Sequence, residues 1–276
     1  MIRHFLNPPN WFTSASLFCS TYAMALVLSA APSPDAEVMS RACVLVIFGG
    51  VFDLLDGRVA RVMNRYSEFG VQLDSIADVV GFGLAPALLA YVWKLQHLGA
   101  IGVAATFAYV LCAAFRLARF NVAAADDSWK LAGHTQGLTT TMAGGSLVTL
   151  IWVANGYGLD WLSVPAGVFA GLVAGLGLLM ISSIPFRSFK DLRENKRARR
   201  FLAVFLAACL LGAVVLDPSM WWGVGGFLYL TVGLFDGLVT AIWHRRLSTA
   251  LLLDEIEEAF DDEEFTEELQ SSEELA

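Results

Sequence analysis

A chain of 276 residues that is 57% apolar and only 16% charged is too hydrophobic for an ordinary soluble domain, and a mean hydropathy of +0.60 points to a polytopic membrane protein. The formal charge of −8 says little about partners, because residues 250–276 hold 12 of the 26 acids and no basic residue, leaving 14 acids against 18 basic residues elsewhere. Those basic residues sit in short loops between apolar runs rather than in a continuous stripe, which argues against nucleic acid as a partner.

Taken in order, the chain opens with MIRHFLNPPN, a short segment broken by Pro8 and Pro9 that suits an interfacial lead-in over residues 1–11. No cleavable signal is expected, because the polar, Pro-rich loop at Ala31 to Glu37 leads straight into another span. Apolar runs near 12–31, 38–62, 72–93, 99–123, 137–156 and 162–184 predict a six-helix core over residues 12–184. A basic loop follows at 185–199, then two more spans near 200–216 and 219–243 within a 200–243 segment, giving an all-α protein of about eight transmembrane helices. Cys19, Cys43, Cys112 and Cys209 are scattered through these apolar runs without a CxxC pair, so they read as small packing residues, not as disulfides or zinc ligands. The remaining 244–276 segment is an acidic tail, read as a solvated appendage with a short amphipathic stretch near Leu251 to Phe260.

Loop charges predict the orientation. With both termini in the cytoplasm, 16 of the 18 basic residues fall on the inner side and only Arg41 and Lys94 lie outside. The stretch Asp53 to Asp78 then turns at the cytoplasmic membrane face.

That stretch carries the chemistry. Asp53, Asp56, Asp74 and Asp78 fall at spacings of 3 and 4 within each half, which puts two carboxylates on one face of each of two helices. Charges bordering a bilayer cost on the order of 2.5–3.5 kcal/mol each at a helix centre, so four of them need a compensating partner. Arg58, Arg61 and Arg65 lie near enough for salt bridges but account poorly for four carboxylates in this pattern. A divalent cation is the economical way to hold crowded carboxylates as anions, and an all-oxygen ligand set without a placed His or Cys implies Mg²⁺ or Mn²⁺. Gly57, Ala60 and Gly70 flank the acids on the helices. They permit either close helix packing or the close approach of a bulky ligand, and beside Arg61 a cradle for a phosphorylated ligand is the better reading.

The run Asp53, Asp56, Gly57, Ala60, Arg61, Gly70, Asp74, Asp78 resembles the complete signature of the CDP-alcohol phosphotransferases, D-x2-D-G-x2-A-R-x8-G-x3-D-x3-D. DGRVAR with SEFGVQLDSIADVVGFGLAPA, RLARFN at Arg116 to Asn121, SFKDL at Ser188 to Leu192, and Pro9-Asn10 followed by Thr13 resemble the phosphatidylserine synthase branch. Where that branch usually has G-L-P-x-P, this chain has Gln136-Gly137-Leu138-Thr139-Thr140. The resemblance implies that Asp53, Asp56 and Asp74 are the principal ligands of Mg²⁺ or Mn²⁺, two ions in all, and that Asp78 borders the metals as general base. It implies CDP-lipid contacts at Asn10, Thr13, Gly57, Ala60, Arg61 and Gly70, transfer from CDP-diacylglycerol to L-serine, and a homodimer embedded in membrane lipid.

Arg116, Arg119 and Lys190 lie at predicted cytoplasmic ends, where topology alone favours basic residues, and arginine's fork also suits a serine carboxylate or a lipid phosphate. Asn121 and Gln136 are candidates of the same kind. Asp236, in the last span, is assigned no chemistry. Another acceptor, such as glycerol phosphate, inositol phosphate or choline, is the alternative within the class. A cation transporter is the alternative outside it, disfavoured because the acids sit at one face and no repeated half is visible.

Overall fold

The computed structural model of the chain describes residues 7–63, 67–125, 134–156, 165–182 and 185–187. Its helices are α1 Pro8–Ser29, α2 Ala36–Val62, α3 Glu68–Asp78, α4 Ala85–Trp93, α5 Ala100–Ala125, α6 Thr140–Gly156 and α7 Ala166–Ile181. Helices thus stand within a few residues of the six positions expected for core spans, α3 and α4 together at the third. The seventh and eighth spans, Asp236 and the acidic tail lie outside the described residues. Among the described residues four stretches are long and apolar enough to cross a membrane: Pro8–Ser29, Ala36–Val62, Glu68–Trp93 and Ala100–Val122, while Ala166–Ile181 is apolar but shorter. One departure from an all-helical chain is a three-residue antiparallel pair, β1 His134–Gln136 with β2 Pro185–Arg187, in which Gln136 opposes Pro185. Three residues are too few to leave an alternation signal in the sequence.

Local chemistry sets the helix starts. Pro8 and Pro9 open α1, where a missing N–H costs nothing. The Asp35 carboxylate accepts the Val38 N–H at 2.7 Å to cap α2, and the Ser67 hydroxyl accepts the Gly70 N–H at 3.0 Å to cap α3. That cap, with Glu68 in the first turn, starts α3 four residues before the apolar run expected from residue 72.

Between α3 and α4 the chain passes through a π-helical turn, Val79–Leu84, immediately after Asp78. Such turns are rare and concentrate at functional sites. Here the turn is braced by the fully buried Tyr109, whose hydroxyl donates to the Phe82 carbonyl at 3.2 Å. It is also pressed by α6, since a Cβ on Gly144 would lie 2.6 Å from the Phe82 carbonyl oxygen. Hydropathy is blind to this turn because the segment is apolar all round.

Helix α1 buries Asn10, Thr13, Ser16, Ser20, Ala23 and Val27, one face at spacings of 3 and 4 that is polar toward its start and apolar toward its end. It lies close along α2: a Cβ on Gly49 would stand 3.1 Å from Ser20 Oγ and 3.2 Å from the Ser16 carbonyl, the small-residue packing that membrane helices use. The apolar core, including Val27, Met39, Leu89, Leu95, Leu147 and Phe169, extends from there, with Trp93 meeting Phe169 edge-on at 5.1 Å. Phe18, Phe48, Phe107 and Phe115 point outward, where lipid would satisfy them.

Two sets of cross-links mark the two ends of the helix bundle. At one end Gln96 donates to the Pro32 carbonyl, and Asn155 Nδ2 to the Ala36 carbonyl at 2.8 Å. At the other, α2 ends, α3 begins, α5 ends and α6 begins, and the polar side chains of the candidate site collect.

Candidate active site

The two halves of the aspartate motif are brought together as the helical spacing requires. Asp53 and Asp56 come from the last turns of α2, and Asp74 and Asp78 from α3. Carboxylate oxygens of Asp53, Asp56 and Asp74 all lie within 4.8 Å of one another, a three-ligand group of the kind a hard cation takes. Asp56 is buried, and its Oδ2 accepts the Thr13 hydroxyl of α1 at 2.8 Å; Thr13 also reaches its own helix at the Pro9 carbonyl, 3.3 Å away. Asp78 lies against Asp53, and its Oδ1 is buried without a hydrogen-bond partner.

Salt bridges do not neutralise this cluster. Among the described residues none of the four aspartates is ion-paired, and the Glu37–Arg41 pair is a local contact at the opposite end. Arg58 and Arg61 are exposed, and Arg65 lies outside the described residues. Three convergent carboxylates, an orphaned fourth and no paired cation fit a divalent ion held by oxygen ligands.

The small residues divide between the two expected uses. Among the described residues a Cβ on Gly57 would meet nothing within 4 Å, so no described helix packs there and the backbone is bare on that side. Gly70 is different: a Cβ would lie 3.0 Å from Ser67 Oγ and 3.3 Å from Asn10 Oδ1, so its smallness lets α1 approach the capped start of α3. Asn10 is accordingly buried at that contact. Ala60 is half-buried and Arg61 projects outward one residue further along α2.

The second group of candidates stands at the end of α5. Arg116 is buried, with 8% of its surface exposed, and its Nη1 donates to Thr140 Oγ1 at 3.1 Å while Nε has no partner among the described residues. Leaving a buried donor or acceptor unmatched costs about 1–3 kcal/mol, so Arg116 Nε, like Asp78 Oδ1, is an atom with capacity for a bound group. Arg119 instead caps α7, donating to the carbonyls of Ile181 at 3.1 Å and Met180 at 3.3 Å. Asn121 Nδ2 donates to Ser75 Oγ at 2.9 Å, tying α5 to α3 one residue beyond Asp74. Gln136 is placed by its backbone in β1, next to Gly137; Lys190 lies outside the described residues.

Nothing in the sequence assigns Ser75 a role, and Thr140 stands out in it only as a departure from the expected prolines. The threonines that depart from the expected prolines also have local work. Thr139 Oγ1 accepts the Met142 N–H at 3.3 Å to cap α6, and Thr140 receives Arg116. Gly137 sits at φ +75°, and a Cβ there would lie 2.3 Å from the Met180 carbonyl oxygen, so the segment is pressed onto the end of α7; the Leu138 N–H donates to the Leu179 carbonyl at 3.0 Å.

Residues 6–182 match the family model described as CDP-alcohol phosphatidyltransferase. A protein of Helicobacter pylori strain J99 named CDP-diacylglycerol–serine O-phosphatidyltransferase is 34% identical over 207 residues, which cover 73% of this chain and 82% of that one. Its counterpart in H. pylori strain 26695 is 32% identical over 237 residues, covering 82% of this chain and 95% of the relative. A Bacillus subtilis protein of the same name is 38% identical over 160 residues, 57% of this chain and 82% of its own length.

Proposed function

The chain belongs to the CDP-alcohol phosphatidyltransferase family, and from that premise we propose that it transfers the phosphatidyl group of CDP-diacylglycerol to L-serine, releasing phosphatidylserine and CMP. It is an integral membrane enzyme, as its apolar helices and its family require. The observation that carries the reaction is the convergence of Asp53, Asp56 and Asp74 beside the bare backbone of Gly57, in a chain whose relatives bear the name of this transferase.

Asp53, Asp56 and Asp74 hold Mg²⁺ or Mn²⁺, two ions in all, with Asp78 bordering them. When bound, the ions supply charge neutralisation for the diphosphate and for the CMP leaving group. Thr13 fixes the Asp56 carboxylate by its hydroxyl, holding one ligand in a set direction before substrate arrives. Gly57, Ala60 and Arg61 receive the CDP portion where the α2 backbone is bare, and Asn10, Thr13 and Gly70 shape its other side. The serine hydroxyl attacks the β-phosphorus, which carries diacylglycerol. Its proton passes to Asp78, a new phosphorus–oxygen bond forms, and the bond from that phosphorus to the CMP oxygen breaks. No covalent intermediate on the protein is required, since the chain's part is positioning and proton removal. Acceptor recognition is drawn from Arg116, Arg119, Asn121, Gln136 and Lys190.

The site lies on the cytoplasmic side with both termini, a reading supported by the 16 of 18 basic residues that collect on that side of the predicted topology. The working form is a homodimer with six core helices per chain and two further helices after them. The test supplies purified protein with CDP-diacylglycerol, Mn²⁺ or Mg²⁺ and a panel of alcohols, and follows CMP. Serine-dependent CMP release is expected. Release with inositol phosphate, glycerol phosphate or choline but not serine would reassign the acceptor, and no CMP with any alcohol would return the cluster to ion transport.

A further inference from the structure

Asp78 Oδ1 and Arg116 Nε are the buried side-chain atoms without hydrogen-bond partners among the described residues. They belong to opposite charges on neighbouring helices, and Asp78 is the acid whose charge acts on Arg116. The two nevertheless form no ion pair. A buried carboxylate and a buried guanidinium near enough to act on one another, unpaired and each with an unmatched atom, make a site with two unlike ends. What fits between them offers a donor to the carboxylate and an acceptor to the guanidinium.

The guanidinium is not free to swing across and close this gap. Its Nη1 is held at 3.1 Å by the hydroxyl of Thr140, the first residue of α6, which is itself 1% exposed. The start of α6 is in turn fixed by the Thr139 cap. The other described candidates are engaged elsewhere: Arg119 on the last carbonyls of α7, and Asn121 on Ser75.

We propose that Thr140 is a positioning residue for the acceptor: by holding Arg116 through Nη1 it fixes the guanidinium with its Nε left for the acceptor, and Arg116 and Asp78 take a small hydroxy amino acid by its carboxylate at Arg116 and its hydroxyl at Asp78. This rests on the transferase reading and deepens it, because it gives a physical reason for an acceptor that carries a carboxylate as well as a hydroxyl. Alcohols without the carboxylate leave the Arg116 edge unmatched. The same hydroxyl that Asp78 receives is the one whose proton it takes.

The test is steady-state CMP release by the full-length protein at saturating CDP-diacylglycerol and Mn²⁺, with serine or ethanolamine varied. Thr140→Val keeps the side-chain shape and removes the oxygen. It is expected to raise KM for serine about tenfold, to leave kcat and KM for CDP-diacylglycerol near those of the parent, and to shrink the preference for serine over ethanolamine. Thr140→Ser is expected to restore both values. A Thr140→Val protein that fails to fold passes the same test to Thr140→Ala. The proposal is overturned by an unchanged serine KM and an unchanged preference, or by an equal loss of kcat with both acceptors and no rescue by serine at position 140. Absence of serine-dependent CMP release from the unsubstituted protein would overturn the transferase reading and this proposal together.

Discussion

Replacing Thr13 with valine isolates the contribution of α1 to the metal ligands. Thr13 and Asp56 are 4% and 6% exposed, and the hydroxyl-to-carboxylate distance is 2.8 Å, so water does not compete for the bond. A hydrogen bond to a charged group contributes about 1.5–3 kcal/mol. With a factor of ten for each ~1.4 kcal/mol, Thr13→Val is expected to weaken ion binding roughly 10- to 100-fold, the usual range for groups that orient a metal ligand. Valine preserves the shape, and the other Thr13 bond is a long one within its own helix, so folding should be little affected. The assay titrates Mn²⁺ into chelator-stripped protein without substrate and counts free Mn²⁺ by electron paramagnetic resonance. A parallel set of CMP-release rates is taken across Mn²⁺ concentrations. Half-saturation should move upward, kcat should recover at high Mn²⁺, and Thr13→Ser should bind almost as the parent does. Parental Mn²⁺ binding in Thr13→Val, with a raised KM for CDP-diacylglycerol instead, would refute the metal-ligand role and leave Thr13 as a nucleotide contact alone.

Three other changes separate roles that lie close together. Asp78→Asn should still bind CDP-diacylglycerol while turnover falls by a factor of about 10² or more, as loss of a general base requires; unaltered turnover removes Asp78 from that role. Gly57→Ala adds a methyl where no atom of a described residue lies within 4 Å, and alanine favours a helix over glycine by about 0.5–1 kcal/mol, so the thermal midpoint in detergent should hold or rise while CDP-lipid affinity falls. Unchanged affinity would mean that the open face of α2 is not where the nucleotide sits. Arg119→Ala removes the donors to the Met180 and Ile181 carbonyls, so the thermal midpoint should drop with little change in serine KM. A selective rise in that KM would bring Arg119 into the acceptor site.

How far the molecule was legible in advance depended on whether the deciding forces act within one helix or between helices. The core helices were readable because lipid leaves a backbone no partner but itself, so apolar length and helix coincide. The exceptions are places where that rule is silent. The Ser67 cap starts α3 inside polar sequence, the π turn at Val79–Leu84 hides in a uniformly apolar run, and β1 and β2 are too short to show a period. At the site, the pairing of carboxylates on each helix followed from spacings of 3 and 4, whereas the bare face at Gly57 and the packed one at Gly70 look alike as letters.

By itself, then, the sequence determined that the described chain is built of apolar helices, that the acids pair on helical faces, and a motif dense enough to specify a phosphoryl-transfer family. All of these are properties of local spacing and hydropathy. Only the tertiary structure decided which polar side chain serves which purpose. Thr13 meets Asp56 from 43 residues away, Arg116 is held by Thr140 from 24, and Arg119 closes α7 from 62. Arg116 and Arg119 lie one helical turn apart with the same charge and the same predicted depth. What distinguishes them is the helix each one faces, and that is set by packing across the bundle.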